Sequence, residues 1–220
     1  MGYAVMWSGG KDCALALWRA GQLGLTVSRL LTVHDPASGR VRFHNTGPDL
    51  LRAQAEAIGI ELELLPAAWT DMDSVLRTAF SRLRADGVEG IIFGDIHLAD
   101  VRAWYEERVR AAGLEHLEPI WGQEPRALLE EFVRIGGRAL VTCCELDRLD
   151  QSWLGRVTDR DFATEIVQAG VDPCGENGEY HSFAFAGPMF QRELAIEAGP
   201  TRVENGFALL ELRLRPPTRS

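Results

Sequence analysis

The chain has 220 residues, of which 46% are hydrophobic and 25% are charged, and its formal net charge is −9. These values are typical of a folded globular protein of one large or two small domains, and they exclude a disordered chain. The acidic balance disfavours nucleic acid as a main partner, because such affinity comes from clustered Lys and Arg. No apolar run approaches the roughly 18–20 residues that span a bilayer, so we expect a cytoplasmic protein.

The first half of the chain alternates β-like runs with amphipathic helical stretches. In chain order the predicted strands cover residues 3–7, 27–33, 61–65, 90–93 and 117–121, and the predicted helices cover residues 12–23, 50–58, 71–84 and 99–112. This alternation is the signature of a parallel sheet with crossover helices. The sequence therefore predicts an α/β fold with a doubly wound, five-stranded parallel sheet.

The second half of the chain has a different pattern. The segment Gly122-Gln123-Glu124-Pro125 has turn chemistry, which predicts a boundary between a domain at 1–122 and a smaller one at 123–220. Beyond it we expect helices at 126–135 and 159–169, strands at 139–143, 182–185, 193–197 and 207–214, turns at Gly199-Pro200 and Asn205-Gly206, and a frayed end at 216–220. The C-terminal domain is thus predicted to be α+β, with an antiparallel tail.

The only Lys among 23 basic residues is Lys11, in the string Ser8-Gly9-Gly10-Lys11-Asp12-Cys13 between a predicted strand and a predicted helix. Helix N-terminal N–H groups favour an anion, and glycines let the backbone approach phosphate oxygens. A Walker A loop is excluded, because it needs Gly at the position of Val5 and Ser or Thr at that of Asp12. A plain glycine turn is the alternative, but the whole string favours a phosphate loop.

The string resembles the pyrophosphate loop, Ser-Gly-Gly-x-Asp-Ser, of the ATP pyrophosphatase group, whose members adenylate a substrate and release pyrophosphate. The resemblance implies a fold like that of the adenine nucleotide alpha hydrolases (HUP-like) and a loop that holds the β- and γ-phosphates. Lys11 would then offset charge on the leaving pyrophosphate, and Asp12 would help to hold Mg²⁺. Cys13 replaces the usual Ser; a helix N-terminus lowers a thiol pKa, yet we interpret Cys13 as a tolerated small residue.

Further blocks extend from residue 3 to about residue 190. They are Arg42-Phe43-His44, Gly94-Asp95-Ile96 with Arg102-x-Trp104, Gly113-Leu114 with Pro119-Ile120-Trp121, Leu154-Gly155-Arg156, and Asp172-Pro173-Cys174-Gly175-Glu176-Asn177-Gly178-Glu179-Tyr180-His181-Ser182. Together they resemble the diphthine–ammonia ligase family, in which the carboxylate of diphthine, a modified histidine of elongation factor 2, is adenylated and ammonia then displaces AMP. The resemblance implies ATP, Mg²⁺ and ammonia as ligands, and elongation factor 2 or a small-molecule carboxylate as acceptor. A homodimer is a further expectation.

Residues 174–181 gather Glu176, Glu179 and His181 around the Asn177-Gly178 turn. Loops with this density of titratable groups are typical of binding and proton transfer, and one of the glutamates would attract ammonium or take its proton. One alternative is a solvated hairpin whose charges do nothing. Another is a zinc site that includes Cys174, although the spacing matches no common zinc pattern and none of the four cysteines forms a C-x-x-C pair. We expect reduced thiols.

Other candidates follow strand ends, where open α/β sheets bind ligands. Asp95 would face the nucleotide or the second substrate, whereas Arg102 is equally a phosphate ligand or the ion-pair partner of Asp95. For His34, contact with adenine or ribose and a plain loop histidine are equally supported. The predicted catalytic residues are Lys11, Asp12, Glu176 and Glu179; the ATP-binding set is Ser8, Gly9, Gly10, Lys11, Asp12, Cys13, His34, Gly94 and Asp95; the substrate-binding set is His44, Arg102, Cys174, Gly175, Asn177, Gly178 and His181.

Two other functions compete with an amide ligase. The first keeps the ATP chemistry and changes the acceptor, as in tRNA thiolation, but the acidic charge and the lack of a C-x-x-C pair disfavour sulfur transfer to RNA. The second is a module that binds ATP without adenylating anything. The presence of both Lys11 and Asp12, with the glutamate-rich loop, disfavours it.

Overall fold

A computed structural model describes residues 2–41 and 44–216 of the chain. Its first sheet has the strand order β3-β2-β1-β4-β5, and every neighbouring pair is parallel. The strands are β1 Gly2–Met6, β2 Val27–His34, β3 Glu61–Pro66, β4 Val88–Ile92 and β5 Glu115–Leu117. The predicted five-stranded parallel sheet is confirmed.

Helices cover both faces of this sheet. They are α1 Lys11–Gln22, α2 Pro48–Ile58, α3 Met72–Ala85 and α4 Ala99–Ala111. Side chains of β1 alternate between the two faces, so that Val5 packs with α1 and α2 in one apolar cluster while Ala4 packs with α3 and α4 in another. Burial on both faces explains why the strands read as nearly continuous apolar runs.

The strand order has a switch point between β1 and β4. From β1 the chain moves outward through β2 and β3 on one side, and it then returns to build β4 and β5 on the other side. The carboxyl ends of β1 and β4 therefore open into a crevice, which is where such sheets bind ligands. Ser8 follows one of these strands and Gly94 the other.

The C-terminal region forms a four-stranded sheet of order β7-β6-β9-β8 in which every neighbouring pair is antiparallel. Its elements are α5 Pro125–Arg134, β6 Arg138–Glu145, α6 Arg160–Gln168, β7 Tyr180–Ala186, β8 Ile196–Glu204 and β9 Phe207–Leu214. The predicted antiparallel tail and α+β character are confirmed. In the part of the chain that the structure describes, no helix is long and apolar enough to cross a membrane.

Three sequence predictions of local structure were wrong. The strand predicted at 193–197 shares only residues 196 and 197 with β8. The Gly199-Pro200 pair, predicted as a turn, lies inside β8, where the pairing register slips between Ala198 and Thr201. Because β8 is an edge strand, it tolerates a proline and a bulge. The fifth strand spans 115–117 and not 117–121, since the chain turns where the Trp121 N–H donates to the Glu118 carbonyl at 3.2 Å.

The Asn205-Gly206 turn was predicted correctly. Both residues have positive φ, 50° and 83°, as a tight hairpin between twisted strands requires. Arg42 and Phe43 of one family block, and positions 217–220 of the expected frayed end, lie outside the described residues.

Candidate active site

A cleft of about 360 Å³ opens at the carboxyl ends of β1 and β4. Both sheets contribute to its lining, because β7 and the loop before it lie against the start of α1. Most of the predicted site residues meet here. Those that line the cleft are Ser8, Lys11, Asp12, Cys13, His34, His44, Gly94, Asp95, Cys174, Gly175, Glu176 and His181.

The predicted phosphate loop has the conformation that its sequence indicates. Gly9 has φ of +85°, and Gly10 caps α1 in an extended conformation, so the helix begins at Lys11 with its N-terminus beside the cleft. Ser8 Oγ accepts a hydrogen bond of 3.3 Å from the Gly10 N–H. The first turn of α1 contains Asp12 and offers N–H groups that an anion can satisfy.

Gly94 fixes the distance between β4 and the phosphate loop. A Cβ atom at this position would lie 2.8 Å from the Cys13 nitrogen and 2.9 Å from the carbonyl carbon of Asp12. Both are backbone atoms of the first turn of α1, so they cannot move without moving the helix. Gly94 is therefore required for close approach of two chain segments.

We expect Gly94→Ala to displace the start of α1 and to destabilise the fold by about 1–3 kcal/mol, the usual effect of overpacking. It should also weaken ATP binding. Gly21→Ala is the matched control, because Gly21 lies in α1 and a Cβ there meets no atom within 4 Å. Thermal unfolding and ATP titration of both variants check this prediction, and equal behaviour of the two would contradict it.

Lys11 is buried, with 3% of its surface exposed, and its ammonium group faces three neighbours. It donates to Asp12 Oδ2 at 2.9 Å and to the carbonyl oxygen of Cys174, and it lies 4.7 Å from the ring centre of Tyr180. Burial alone would lower the pKa of Lys11, but Asp12, Tyr180 and Cys174 together raise it well above its usual value. A fixed positive charge thus lies next to the helix N-terminus.

Three carboxyl groups line the cleft near this positive charge, namely Asp12, Asp95 and Glu176. Burial and the neighbouring Asp12 carboxylate raise the pKa of Asp95 to about 6, and the same two causes raise the pKa of Glu176 to about 8. Burial also raises the pKa of Asp12, against the opposing effect of Lys11. Glu176 Oε1 accepts a hydrogen bond of 2.8 Å from the Ile96 N–H, so the Glu176 side chain reaches the loop that follows β4. Such a cleft favours a cation or a proton.

The structure separates Glu179 from Glu176. The Glu179 side chain is 1% exposed, does not line the cleft, and accepts hydrogen bonds from Arg148 at 2.9 Å and from the Asn177 N–H at 3.1 Å. It also accepts from the Asp172 N–H at 3.2 Å. The Glu179 oxygens are occupied by hydrogen bonds from Arg148 and from the loop backbone. The position of Glu179 therefore does not fit the predicted catalytic role. The alternative of a solvated hairpin does not fit Glu179, because its side chain is buried.

We expect Glu179→Gln to destabilise the protein by about 1–3 kcal/mol, because the amide would turn an N–H₂ group toward buried donors. For a chain of this size the melting temperature would fall by about 2–4 °C per kcal/mol. The matched control is Glu145→Gln, since Glu145 contacts the same Arg148 at 3.2 Å but is partly exposed. That pair should contribute under about 1 kcal/mol. Equal melting temperatures of the two variants would contradict the role of Glu179.

Asn177 and Gly178 lie on the outer side of the same loop. Neither lines the cleft, and Asn177 is exposed. Gly175 does line it and has φ of +70°, with a Cβ position only 2.6 Å from the Tyr180 carbonyl oxygen. Of the predicted substrate-binding residues in this loop, the structure therefore places Cys174 and Gly175, but not Asn177 and Gly178, where a ligand would contact them.

His44 and His181 form a partly buried pair beside the phosphate loop. Their ring centres are 4.7 Å apart, and His44 Nδ1 lies 3.2 Å from the carbonyl oxygen of Ser182, to which its N–H donates. Burial lowers the pKa of His44 to about 4, and burial together with His44 and Lys11 lowers the pKa of His181 well below its ordinary value. Both imidazoles are consequently neutral at physiological pH.

The cysteines do not fit a metal or redox centre. All four are free and buried, as predicted for reduced thiols. Burial raises the pKa of Cys13 to about 11, which is consistent with the interpretation of Cys13 as a small residue and not a reactive thiol. Cys174 Sγ donates to the Pro125 carbonyl at 3.2 Å. Within the described ranges, no three His, Cys, Asp or Glu side chains are grouped to hold a metal ion, which speaks against the zinc alternative.

Arg102 lies outside the cleft and has a different partner from the one predicted. Its Nε is 3.0 Å from Glu118 Oε2, and its guanidinium group stacks 4.5 Å from the ring centre of Trp121. The Glu118 side chain is almost fully buried just after β5, and Arg102 pairs with Glu118 and not with Asp95. Of the two alternatives for Arg102, the ion pair with Asp95 was therefore wrong, and a position outside the cleft does not fit a phosphate or substrate ligand. His34 does line the cleft, with Nδ1 at 3.4 Å from the Asp35 carbonyl.

Sequence reasoning missed several residues of the site. Tyr180 and Ser182 belong to the quoted family block but were given no role, although Ser182 Oγ accepts from the Lys11 N–H at 3.3 Å. Trp69 is 65% exposed and lines the cleft beside Val33. Gln54 lies under the phosphate loop. A polar residue on the otherwise apolar face of α2 was the available signal for Gln54.

The fold and the cleft define a doubly wound α/β protein with an anion-binding loop at its switch point and an acidic loop from a second, antiparallel sheet. Its N-terminal part, residues 1–116, matches the family model described as diphthamide synthase N-terminal domain, and residues 124–212 match the diphthamide synthase C-terminal domain. The chain belongs to the diphthamide synthase family.

The similar curated proteins have one name in common. Diphthine–ammonia ligase of Homo sapiens is 22% identical over 94% of this chain and 87% of that protein. The protein of the same name from Danio rerio is 24% identical over 91% of this chain and 88% of that protein. Diphthine–ammonia ligase of Schizosaccharomyces pombe is 24% identical over 86% of this chain, which matches 35% of that longer protein. This chain is accordingly an enzyme of the ligase class.

Proposed function

We propose that this chain adenylates a carboxylate with ATP, releases pyrophosphate, and then transfers ammonia to the adenylate with release of AMP. The observation that carries the proposal is the contact between the two predicted motifs, in which the Lys11 ammonium group donates to the Cys174 carbonyl oxygen. Residues 163 positions apart thus share one cleft. An adenylation needs both reactants within about 3–3.5 Å of each other, and this arrangement supports that requirement.

In the first step ATP lies with its β- and γ-phosphates against the phosphate loop. A carboxylate oxygen of the acceptor attacks the α-phosphorus, and the bond to the bridging oxygen of pyrophosphate breaks. The charge that develops on pyrophosphate faces Lys11 and the N-terminal N–H groups of α1. Adenine fits the apolar part of the cleft, where Val33, Ala67 and Trp69 form the lining beside His34.

The carboxyl groups of this site fit Mg²⁺, which would enter as a complex with ATP. Mg²⁺ commonly uses one or two carboxylates and completes its shell with phosphate oxygens and water. Asp12 and Asp95 line the cleft and interact electrostatically, so they supply two oxygen ligands of the preferred type. When bound, the ion would neutralise phosphate charge.

In the second step ammonia attacks the acyl carbon of the adenylate, the bond to the phosphate oxygen of AMP breaks, and one proton must leave the nitrogen. Glu176 is the group that would accept this proton, because it lines the cleft and its pKa is raised to about 8. The carboxyl groups of Asp95 and Glu176 would also attract ammonium as the source of ammonia. This assigns the ATP-binding role mainly to residues 1–122 and the second substrate to residues 123–220.

The acceptor that we propose is diphthine or a diphthine-like carboxylate, since the similar proteins are named diphthine–ammonia ligase. Elongation factor 2 would then be the protein partner. Sulfur transfer to tRNA is disfavoured by the buried thiols, of which Cys143 and Cys144 have pKa values raised to about 12 by burial. Thiolates, the reactive form, would be scarce.

The test is a screen for pyrophosphate release with ATP, ammonium and a panel of carboxylates, including the diphthine form of elongation factor 2. We expect AMP and pyrophosphate in equal amounts, and an amide product only when ammonium is present. ADP as the main product would reject the adenylation. ATP binding with no turnover on any acceptor would instead support a non-catalytic module.

A further inference from the structure

Gln54 lies directly beneath the phosphate loop and is fully buried in α2. Its Oε1 accepts a hydrogen bond of 3.0 Å from the indole N–H of Trp7. Its Nε2 donates to the Gly9 carbonyl at 2.9 Å and to the Ala184 carbonyl at 2.6 Å. One amide thus connects the end of β1, the phosphate loop and β7.

These contacts fix the direction of one peptide group in the loop. The Gly9 carbonyl accepts from Gln54 and also from the Ala184 N–H at 2.8 Å, so it is held toward the protein interior. Because a trans peptide is planar, the Gly10 N–H of the same peptide must point to the opposite side. On that side it meets Ser8 Oγ at 3.3 Å, and Ser8 lines the cleft.

Gln54 also constrains the backbone conformation that Gly9 adopts. Gly9 has φ of +85°, and a Cβ built on it would lie 2.8 Å from Gln54 Oε1. The amide therefore packs against the bare Cα of this glycine while it binds the carbonyl of the same residue. A side chain that lacked either the donor or the shape would leave the loop free to turn this peptide over.

We propose that Gln54 is a positioning residue that holds the phosphate loop in the conformation that binds the pyrophosphate part of ATP. The inference rests on the proposed function, because it assumes that the loop binds ATP. Gln54 acts through Gly9 and does not line the cleft itself. Because Ala184 belongs to β7, the same amide links the phosphate loop to the C-terminal sheet.

The first test compares Gln54→Met with wild type and with Gln191→Met at a temperature where all three are folded. Met keeps the length of Gln and removes the amide. Gln191 is the matched control, because its Nε2 donates to the Ile58 carbonyl at the end of the same helix, at 3.2 Å, away from the loop. We expect the ATP dissociation constant and the KM for ATP to rise about tenfold or more in Gln54→Met alone, with a smaller change in kcat.

A second variant, Gln54→Glu, keeps the test decisive if the Met variant does not fold. The carboxyl group that this substitution introduces retains one donor and one acceptor while it is protonated, whereas its ionised form presents only acceptors to two carbonyl groups. Burial favours the protonated form. We expect near wild-type ATP affinity at pH 6 and a progressive loss, relative to wild type, as the pH rises to about 9.5.

The outcomes separate this inference from the proposed function. Wild-type protein that does not bind ATP would overturn both. Wild-type protein that binds ATP, with affinity unchanged in Gln54→Met or with parallel pH profiles for Gln54→Glu and wild type, would overturn the inference alone. Equal weakening in Gln54→Met and Gln191→Met would show a general effect of α2 and would also overturn it.

Discussion

Replacing Lys11 by Met is expected to lower kcat/KM for AMP formation at least 100-fold. The variant keeps the apolar stem and removes the only ammonium group that the described residues of the cleft contain. Preorganised charges at a position where negative charge develops typically contribute about 2.7–4 kcal/mol, which corresponds to this factor. The fall in kcat/KM is measured from the rate of pyrophosphate release, at saturating ATP for kcat and over a range of ATP concentrations for KM.

The control for this prediction is Arg19→Met, which removes a cation from the last turn of the same helix. Arg19 contacts Glu131 and lies outside the cleft. We expect its activity to stay within a few-fold of wild type. Lys11→Met also removes the hydrogen bonds that Lys11 donates to Asp12 and to the Cys174 carbonyl, so a lower melting temperature is expected as well. Full AMP formation by folded Lys11→Met protein would refute the assignment of the phosphate loop.

The phosphate loop was predictable because its signals are local. A strand, two glycines and a helix start lie within about ten residues, and each signal is a property of neighbouring positions. The parallel five-stranded sheet followed from the alternation of strands and helices in the same way. The bulge at Gly199-Pro200 was not predictable by this route, because whether a Gly-Pro pair turns or continues depends on whether the strand lies at a sheet edge.

The roles of individual charged residues were less predictable, since they depend on side-chain direction and on partners far along the chain. Glu176 and Glu179 are three positions apart in one loop, yet one faces the cleft and the other is enclosed by Arg148 and backbone N–H groups. The preference of Arg102 for Glu118 is likewise set by tertiary contacts across strand ends. Local carboxylate density identifies a functional loop, but it does not identify the functional carboxylate.

Glu176→Gln is expected to leave ATP affinity nearly unchanged and to slow amide formation by about 10²–10⁴-fold, the usual contribution of a positioned general base. The amide oxygen of Gln can still accept from the Ile96 N–H, so the side chain keeps its place. Rapid mixing with ammonium, with pyrophosphate and amide measured separately, distinguishes the two steps. Glu118→Gln is the control, because Glu118 is a buried carboxyl with pKa raised to about 7 that does not line the cleft.

The pH dependence gives an independent check on Glu176. Because its pKa in the folded protein is raised to about 8, its contribution to stability is fully present below its ordinary value and is lost as the pH rises through about 8. The ligand-free wild type should therefore lose more stability between pH 5 and about 9 than Glu176→Gln, which cannot ionise there. Parallel stability curves would contradict the raised pKa.

The rate should change with pH in the opposite direction to the stability. Glu176 accepts a proton only when it is ionised, so the wild-type rate of amide formation should rise through pH 8. Free ammonia also increases with pH, but it does so equally for both proteins, and the ratio of wild-type to Glu176→Gln rates removes this effect. A ratio that grows up to about pH 8 and then levels identifies Glu176 as the proton acceptor. A ratio that stays constant with pH would show that another group accepts the proton. Asp95, whose pKa is raised to about 6, would then be the next carboxyl group to replace.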